Sequence, residues 1–234
     1  MNAPALSIAF FDPAHSLHGT ARQGMTLLFR DGSPTALPEG PELEPDGDGL
    51  RAQLADRLDL RFEPVSGAVD LGGAYTRVCR VAGTAGDEAV DCLGTVTETV
   101  EPPAWAELDA LRAISALFDE GHGLLALARR PRGALGHGDE RVRACLLAGG
   151  ELLGVEDSRI STVYDGDGRQ RDAGLELWLP GEDFPRRASG RAVAGASLNL
   201  EGLRVQVAVF GWRMEGREGA GAYEVTVRDE PAAA

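Results

Sequence analysis

The chain has no lysine: all 23 of its basic residues are arginine. That absence excludes Schiff-base catalysis through lysine, a P-loop with its phosphate-binding lysine and a kinase with its strand lysine. Cysteine is scarce as well. Cys79, Cys92 and Cys145 are the only three, too few and too widely spaced for a zinc knuckle or a disulfide framework, and an odd number suits a reducing compartment. No apolar run approaches the ~18 residues that a membrane span requires. Residues 1–11 carry no basic stretch and only a short apolar one, so neither a signal peptide nor an anchor is expected there, and the expected location is the cytoplasm. Positive charge is in deficit: 23 Arg against 37 Asp plus Glu leaves a net charge of -14. Such a surface repels a polyanion, so nucleic acid is not an expected partner.

What is present is enough for a packed fold. Hydrophobic residues make up 43% of the 234, and 31 Gly with 13 Pro are too few for a disordered or collagen-like chain. The length allows one large domain or two small ones.

An internal repeat favours two. The segment 11–22, FDPAHSLHGTAR, aligns without gaps on 118–129, FDEGHGLLALAR, with six of twelve positions identical. Two further matches follow in the same order at a slightly larger offset: Leu58 to Phe62 on Leu175 to Leu179, and Gly94 to Glu98 on Gly211 to Glu215. A duplication with about ten extra residues in the second copy accounts for all three, by the logic of internal repeats.

Each copy reads as strands. Leu203, Val205, Val207 and Val209 alternate with Arg204, Gln206 and Ala208, and Tyr223, Val225 and Val227 alternate with Glu224, Thr226 and Arg228. Leu58, Leu60 and Phe62, and likewise Leu175, Leu177 and Leu179, follow the same two-residue period. Asp31-Gly32, Gly72-Gly73, Gly149-Gly150 and the Asp-Gly-Asp-Gly runs at 46–49 and 165–168 supply tight turns, spaced as in antiparallel meanders. The one helix candidate is 105–111, after Pro102-Pro103, with Leu108 and Leu111 on one side. The expected organisation is an N-terminal β domain at 1–101, a linker with a short helix at 102–112, and a C-terminal β domain at 113–230. The fold class is all-β: two antiparallel barrels or sandwiches, an architecture that commonly holds one small ligand.

Together with this duplicated β organisation, four short stretches carry a resemblance to a known family. They are His137-Gly138-Asp139-Glu140, Ser161 to Asp165, Gly174 to Trp178 and Gly219 to Glu224. In these the chain resembles the AttH-like and carotenoid hydratase-like proteins, which have two tandem lipocalin-like domains. The resemblance implies lipocalin-like β domains and a lipophilic, often isoprenoid, small molecule that is hydrated or cyclised; other relatives have no known activity.

Histidine and carboxylates supply the candidate chemistry. His15 and His18 have an H-x-x-H spacing, but zinc needs three or four convergent ligands and no third is at hand, so no metal is expected. His15 and its repeat partner His122 fall in hairpin turns. His137 lies between glycines that allow close backbone approach, or else in an ordinary solvated loop. Glu176 stands between Leu175 and Leu177 beside Trp178. If the leucines face the core, Glu176 and Trp178 face either solvent or a ligand cavity; in a dry pocket a carboxyl against an indole is suited to general acid catalysis. Tyr164 ends a strand at a turn where barrel rims meet ligands. Trp212, Tyr223 and Trp105 are either pocket-lining or core residues.

The glycine run at 211–221 precedes a strand and not a helix, so it is no dinucleotide fingerprint, and no serine has a nucleophile-elbow context. The expected function is a cofactor-independent enzyme of lyase or isomerase type acting on a lipophilic, isoprenoid or polyketide, molecule by acid-catalysed hydration, isomerisation or cyclisation. Its catalytic residues would be Glu176, His137 and Tyr164, and its ligand-binding residues Trp178, Trp212, Tyr223 and Trp105. The alternative is a noncatalytic lipocalin-like binding protein for a hydrophobic small molecule. A homodimer is compatible with either.

Overall fold

In the computed structural model, which describes residues 4–200 and 202–228, nearly every element is a strand. The first sheet is built from β1 (Ala5–Asp12), β2 (Leu17–Arg22), β3 (Met25–Arg30), β4 (Ser33–Leu37), β5 (Glu42–Asp46), β6 (Gly49–Leu54), β7 (Leu58–Pro64), β8 (Val69–Asp70), β9 (Ala74–Ala85) and β10 (Glu88–Thr99). The second is built from β11 (Leu108–Asp119), β12 (His122–Pro131), β13 (Arg141–Ala148), β14 (Glu151–Gly154), β15 (Asp157–Tyr164), β16 (Gln170–Trp178), β17 (Arg186–Leu200), β18 (Leu203–Met214) and β19 (Arg217–Arg228). Every pairing is antiparallel, as short turns require. At Asp31-Gly32, for example, both turn residues have positive φ, 49° and 78°, the geometry that matches the twist of a two-residue hairpin.

The two sheets have the same plan. The first runs β4-β3-β2-β1-β10-β9-β7-β6-β5, with β8 beside β9, and the second runs β14-β13-β12-β11-β19-β18-β17-β16-β15. In each, the first and last long strands meet in the middle, β1 on β10 and β11 on β19. The repeated FD-x-x-H segment therefore falls on equivalent hairpins, β1-β2 and β11-β12. The two later matches do not. Leu58 to Phe62 is on β7, whose counterpart by position is β17, whereas Leu175 to Trp178 is on β16. Gly94 to Glu98 is on β10, the counterpart of β19, whereas Gly211 to Met214 is on β18. Both are strand-pattern coincidences one strand out of place, because alternating apolar segments resemble each other wherever they lie.

The expected helix at 105–111 is absent. Residues 105–107 form a turn, and β11 begins at Leu108. A register shift against β12 between Leu108 and Ala110 inserts one residue, so the three-residue spacing of Leu108 and Leu111 fits a bulged strand as well as a helix. The only helical element among the described residues is a 3-10 turn at His137–Asp139. Among the described residues, no helix is long and apolar enough to cross a membrane.

Alternation along the strands makes three cores from two sheets. One face of the first sheet buries Ile8, Phe10, Leu60, Phe62 and Val81 in its own curl. One face of the second buries Leu124, Leu175, Leu177, Phe210 and Trp212. The remaining faces pack against one another: Ala9, Phe11, Phe29 and Val78 from the first sheet join Leu117, Leu125, Leu127 and Val207 from the second. Strand β18 is thus buried on both sides, with Val205, Val207 and Val209 between the sheets and Ala208, Phe210 and Trp212 inside the second one. The glycine run has a packing cause. A Cβ on Gly219 or Gly221 would overlap the carbonyl oxygen of Leu117 or Ser115, so β19 can lie this close to β11 only with glycine at both positions.

Candidate functional site between the sheets

Where the outer faces meet, packing is incomplete and leaves a cavity of about 400 Å³, within the range that encloses a small organic ligand. Its two walls differ in chemistry. The first sheet contributes six hydroxyls, from Ser7, Thr20, Thr76, Thr95, Thr97 and Thr99, among the apolar side chains of Ile8, Ala9, Leu71 and Ala74. The second contributes mainly hydrocarbon, from Leu111, Ala113, Leu125, Leu127, Val205 and Ala222. Pro103 and Trp105, on the segment joining the sheets, complete the lining.

Four charged residues line the same space: Arg22, Glu101, Arg129 and Glu224. Arg22 Nη2, on β2, donates to Glu224 Oε2, on β19, at 2.8 Å, and Thr226 Oγ1 donates to the other carboxylate oxygen at 3.2 Å. Both charged side chains are largely withdrawn from solvent, 33% and 22% exposed. Arg22 Nε is buried without a partner among the described residues. Arg129, on β12, crosses the seam in the opposite direction and donates through Nη2 to the carbonyl of Gly72. The segment it grips is held by Asp70, whose Oδ1 accepts from the amides of Gly72 and Gly73 at 2.7 and 2.9 Å. Those amide donors keep the Asp70 carboxyl below the usual range. A carboxylate beside a guanidinium, between a hydroxyl wall and a hydrocarbon wall, can exchange a proton with a bound molecule while the arginine steadies an oxygen that gains negative charge.

Of the candidate site residues singled out in the sequence, Trp105 lines this cavity, and Glu176, Trp178, Trp212, Tyr223 and Tyr164 do not. Glu176 and Trp178 are on the outer face of β16, where Glu176 accepts from Arg187 Nε at 3.0 Å and the Arg159 guanidinium carbon stands 5.0 Å from the Trp178 ring centroid. Leu175 and Leu177 take the inward face, which leaves that pair to solvent-side ion-pair and cation–π contacts and not to a dry pocket. Trp212 is 1% exposed and stacks on Phe210 with centroids 5.1 Å apart, inside the second sheet. Tyr223, in the same core, accepts a hydrogen bond from Arg112 Nη1 at 3.1 Å and shares one with Thr162 Oγ1 at 2.7 Å. Burial pushes its phenol above the usual pKa, against the pull of Arg112. Arg112 also makes a buried ion pair with Glu140. Tyr164 is 45% exposed at the end of β15. The side chain of His137 lies outside the described residues.

The repeat histidines act as turn clamps. His15 Nδ1 is 2.8 Å from Asp12 Oδ2, and His122 Nδ1 is 2.7 Å from Asp119 Oδ1, in the two equivalent hairpin turns. Among the described residues, no group of three or more His, Cys, Asp or Glu could hold a metal ion.

Arg22 and Glu224 carried one faint signal in the sequence. Arg22 and Arg129 are the last identical pair of the repeat, and each reaches from its β2-type strand across to the other sheet. Glu224 shows only as the polar member of an alternating strand.

The fold defines an all-β protein of two tandem lipocalin-like half-barrels packed through their outer faces around a cavity. Solved structures share it. A “putative AttH” from Nitrosomonas europaea superposes with a TM-score of 0.65 over 97% of this chain and 92% of its own, at 12% identity. Kievitone hydratase from Nectria haematococca superposes with a TM-score of 0.58 over 97% of this chain and 89% of its own, at 11% identity. No family model and no curated protein matches the chain in sequence.

Proposed function

We propose that the chain is an enzyme that takes a lipophilic small molecule between its two sheets and hydrates, isomerises or cyclises it by proton transfer at Glu224. The observation that carries this reading is the Arg22–Glu224 pair, set in a cavity whose lining, Glu101 and Arg129 apart, is otherwise hydroxyl and hydrocarbon. In a hydration, the carboxylate takes a proton from water as the hydroxyl adds to a polarised double bond, then returns it to the neighbouring carbon. Arg22 meanwhile hydrogen-bonds the oxygen on which charge develops. In an isomerisation the same carboxylate removes a proton from carbon and returns it elsewhere. The kinship in fold with a hydratase supports the reaction class, and Trp105 is retained as a ligand contact. Glu176, on the outer face, is replaced by Glu224 as the proton-transferring carboxylate in this proposal.

The test is to incubate an organic extract of the cells that express the protein with wild type and with Glu224→Gln, and to compare the extracts by mass spectrometry. The expected result is a species heavier by one water, or an isomer of unchanged mass, formed only by wild type. Binding of a small molecule by both proteins, with no species converted by either, would make the chain a carrier and not an enzyme.

A further inference from the structure

We infer that the molecule held between the sheets is facially amphipathic, with a row of hydroxyl or carbonyl oxygens along one face and hydrocarbon on the other. The inference rests on the reading of the cavity as a small-molecule site and adds the class of molecule. It comes from strand register. Thr76 of β9 is opposite Thr97 of β10, Thr97 is opposite Ser7 of β1, and Ser7 is opposite Arg22 of β2. Residues directly opposite one another share a face, and neighbouring strands are about 4.8 Å apart. The first sheet therefore presents hydroxyl, hydroxyl, hydroxyl and guanidinium in one line across four strands, roughly 14 Å from end to end.

The facing sheet has the complementary line. Leu127 of β12 is opposite Ala113 of β11, Ala113 is opposite Glu224 of β19, and Glu224 is opposite Val207 of β18. That line is hydrocarbon except at Glu224, and its one charge is bonded to the charged end of the hydroxyl line.

Two sheets that pack only for stability would have valine on both sides, because valine matches threonine in shape and brings no hydroxyl to desolvate. Thr76 and Thr95 are nonetheless buried at this seam. The Thr76 and Thr97 hydroxyls bond each other at 2.9 Å. In such a pair only one hydrogen is used, which leaves one donor and free lone pairs for a ligand. The buried Nε of Arg22 adds another free donor at the end of the line. A ligand whose oxygens are spaced along one face satisfies these groups together, while its other face lies on Leu127 and Ala113.

Two bile acids with the same ring skeleton test the inference by calorimetric titration: cholate has three hydroxyls on one face, and lithocholate has one. Lithocholate is the more apolar, so burial of hydrocarbon alone favours it. The structure instead leads us to expect cholate to bind several-fold more tightly. Thr76→Val combined with Thr97→Val should weaken cholate by about tenfold, at about threefold for each hydroxyl lost, and leave lithocholate within about twofold. Thr20→Val, one register step away, is the second variant, with a smaller loss confined to cholate. Tighter binding of lithocholate to wild type, or equal loss of both ligands in the valine variants, would overturn the inference while leaving the cavity a lipophilic-ligand site. Binding of neither acid would overturn the reading of the cavity and the inference with it.

Discussion

Arg22 and Glu224 are 202 residues apart in sequence and meet at 2.8 Å across the seam between the two sheets. Their contact joins β2 of the first sheet to β19 of the second, and its reciprocal, Arg129 on the Gly72 carbonyl, joins β12 back to the first. The cavity opens where these cross-links take the place of close apolar packing. The same pair thus fastens the sheets and places an ion pair within the lining.

Because both side chains keep part of their hydration, the pair contributes modestly to stability. A double-mutant cycle with Arg22→Met and Glu224→Leu, read by chemical denaturation, should give a coupling energy of about 0.5–1 kcal/mol. A coupling near zero would mean that this ion pair does not help to hold the seam.

Tyr223 and Trp105 should behave as opposites. Tyr223→Phe strips Arg112 and Thr162 of a buried partner and should cost about 1–3 kcal/mol of stability without changing ligand affinity. Trp105→Ala should weaken ligand binding and cost less stability, because the indole lines the cavity and is only half-buried. Denaturation midpoints and titration of the same two variants check both statements.

The three thiols should be inert in the native protein. Burial pushes Cys79 up to about 11 and Cys92 up to about 12, and it raises Cys145 in the same direction. At pH 8 almost no thiolate is present, and thiolate is the reactive form. Intact-mass measurement after iodoacetamide should show no label on folded protein and three labels after unfolding.

Two neighbouring histidines should give the stability profile opposing slopes. The hydrogen bond to Asp12, reinforced by its charge, raises His15 above its ordinary 6.5, so the folded state favours the protonated ring. That contribution is complete below 6.5 and fades as pH rises through the raised value. Burial lowers His18 despite the pull of Asp12, so the folded state favours its neutral ring and loses stability as pH falls below 6.5. His15→Asn should therefore lower the melting temperature at pH 5 and leave it unchanged at pH 9. His18→Leu should flatten the fall in stability on the acid side. Melting curves from pH 5 to 9 separate the two effects.

The strands and their turns were legible in the sequence because alternation and Asp-Gly or Gly-Gly turns are local signals. Leu58 to Phe62, Leu203 to Val209 and Tyr223 to Val227 all read as strands and are strands. Local signals failed where one pattern fits two structures, as at Leu108 and Leu111, whose bulge imitates helical spacing. They also failed to show which strand faces would meet. Glu176 beside Trp178 promised a carboxyl in a dry pocket, yet that face is the outer one, ion-paired to Arg187. Glu224, an ordinary alternating residue on paper, enters the cavity because β19 sits at the centre of its sheet and turns that face toward the first sheet. A site assembled from strands at opposite ends of the chain has no local spacing to reveal it.

The proposed function requires a lipophilic molecule in the space between the sheets. Native mass spectrometry after incubation with a cell extract tests it most directly, with wild type compared against Ala113→Trp, whose indole would fill the cavity from the hydrocarbon wall. A small organic mass should be retained by folded wild type, released by solvent extraction, and absent from the filled variant. Equal retention by both proteins, or none by wild type, would contradict it.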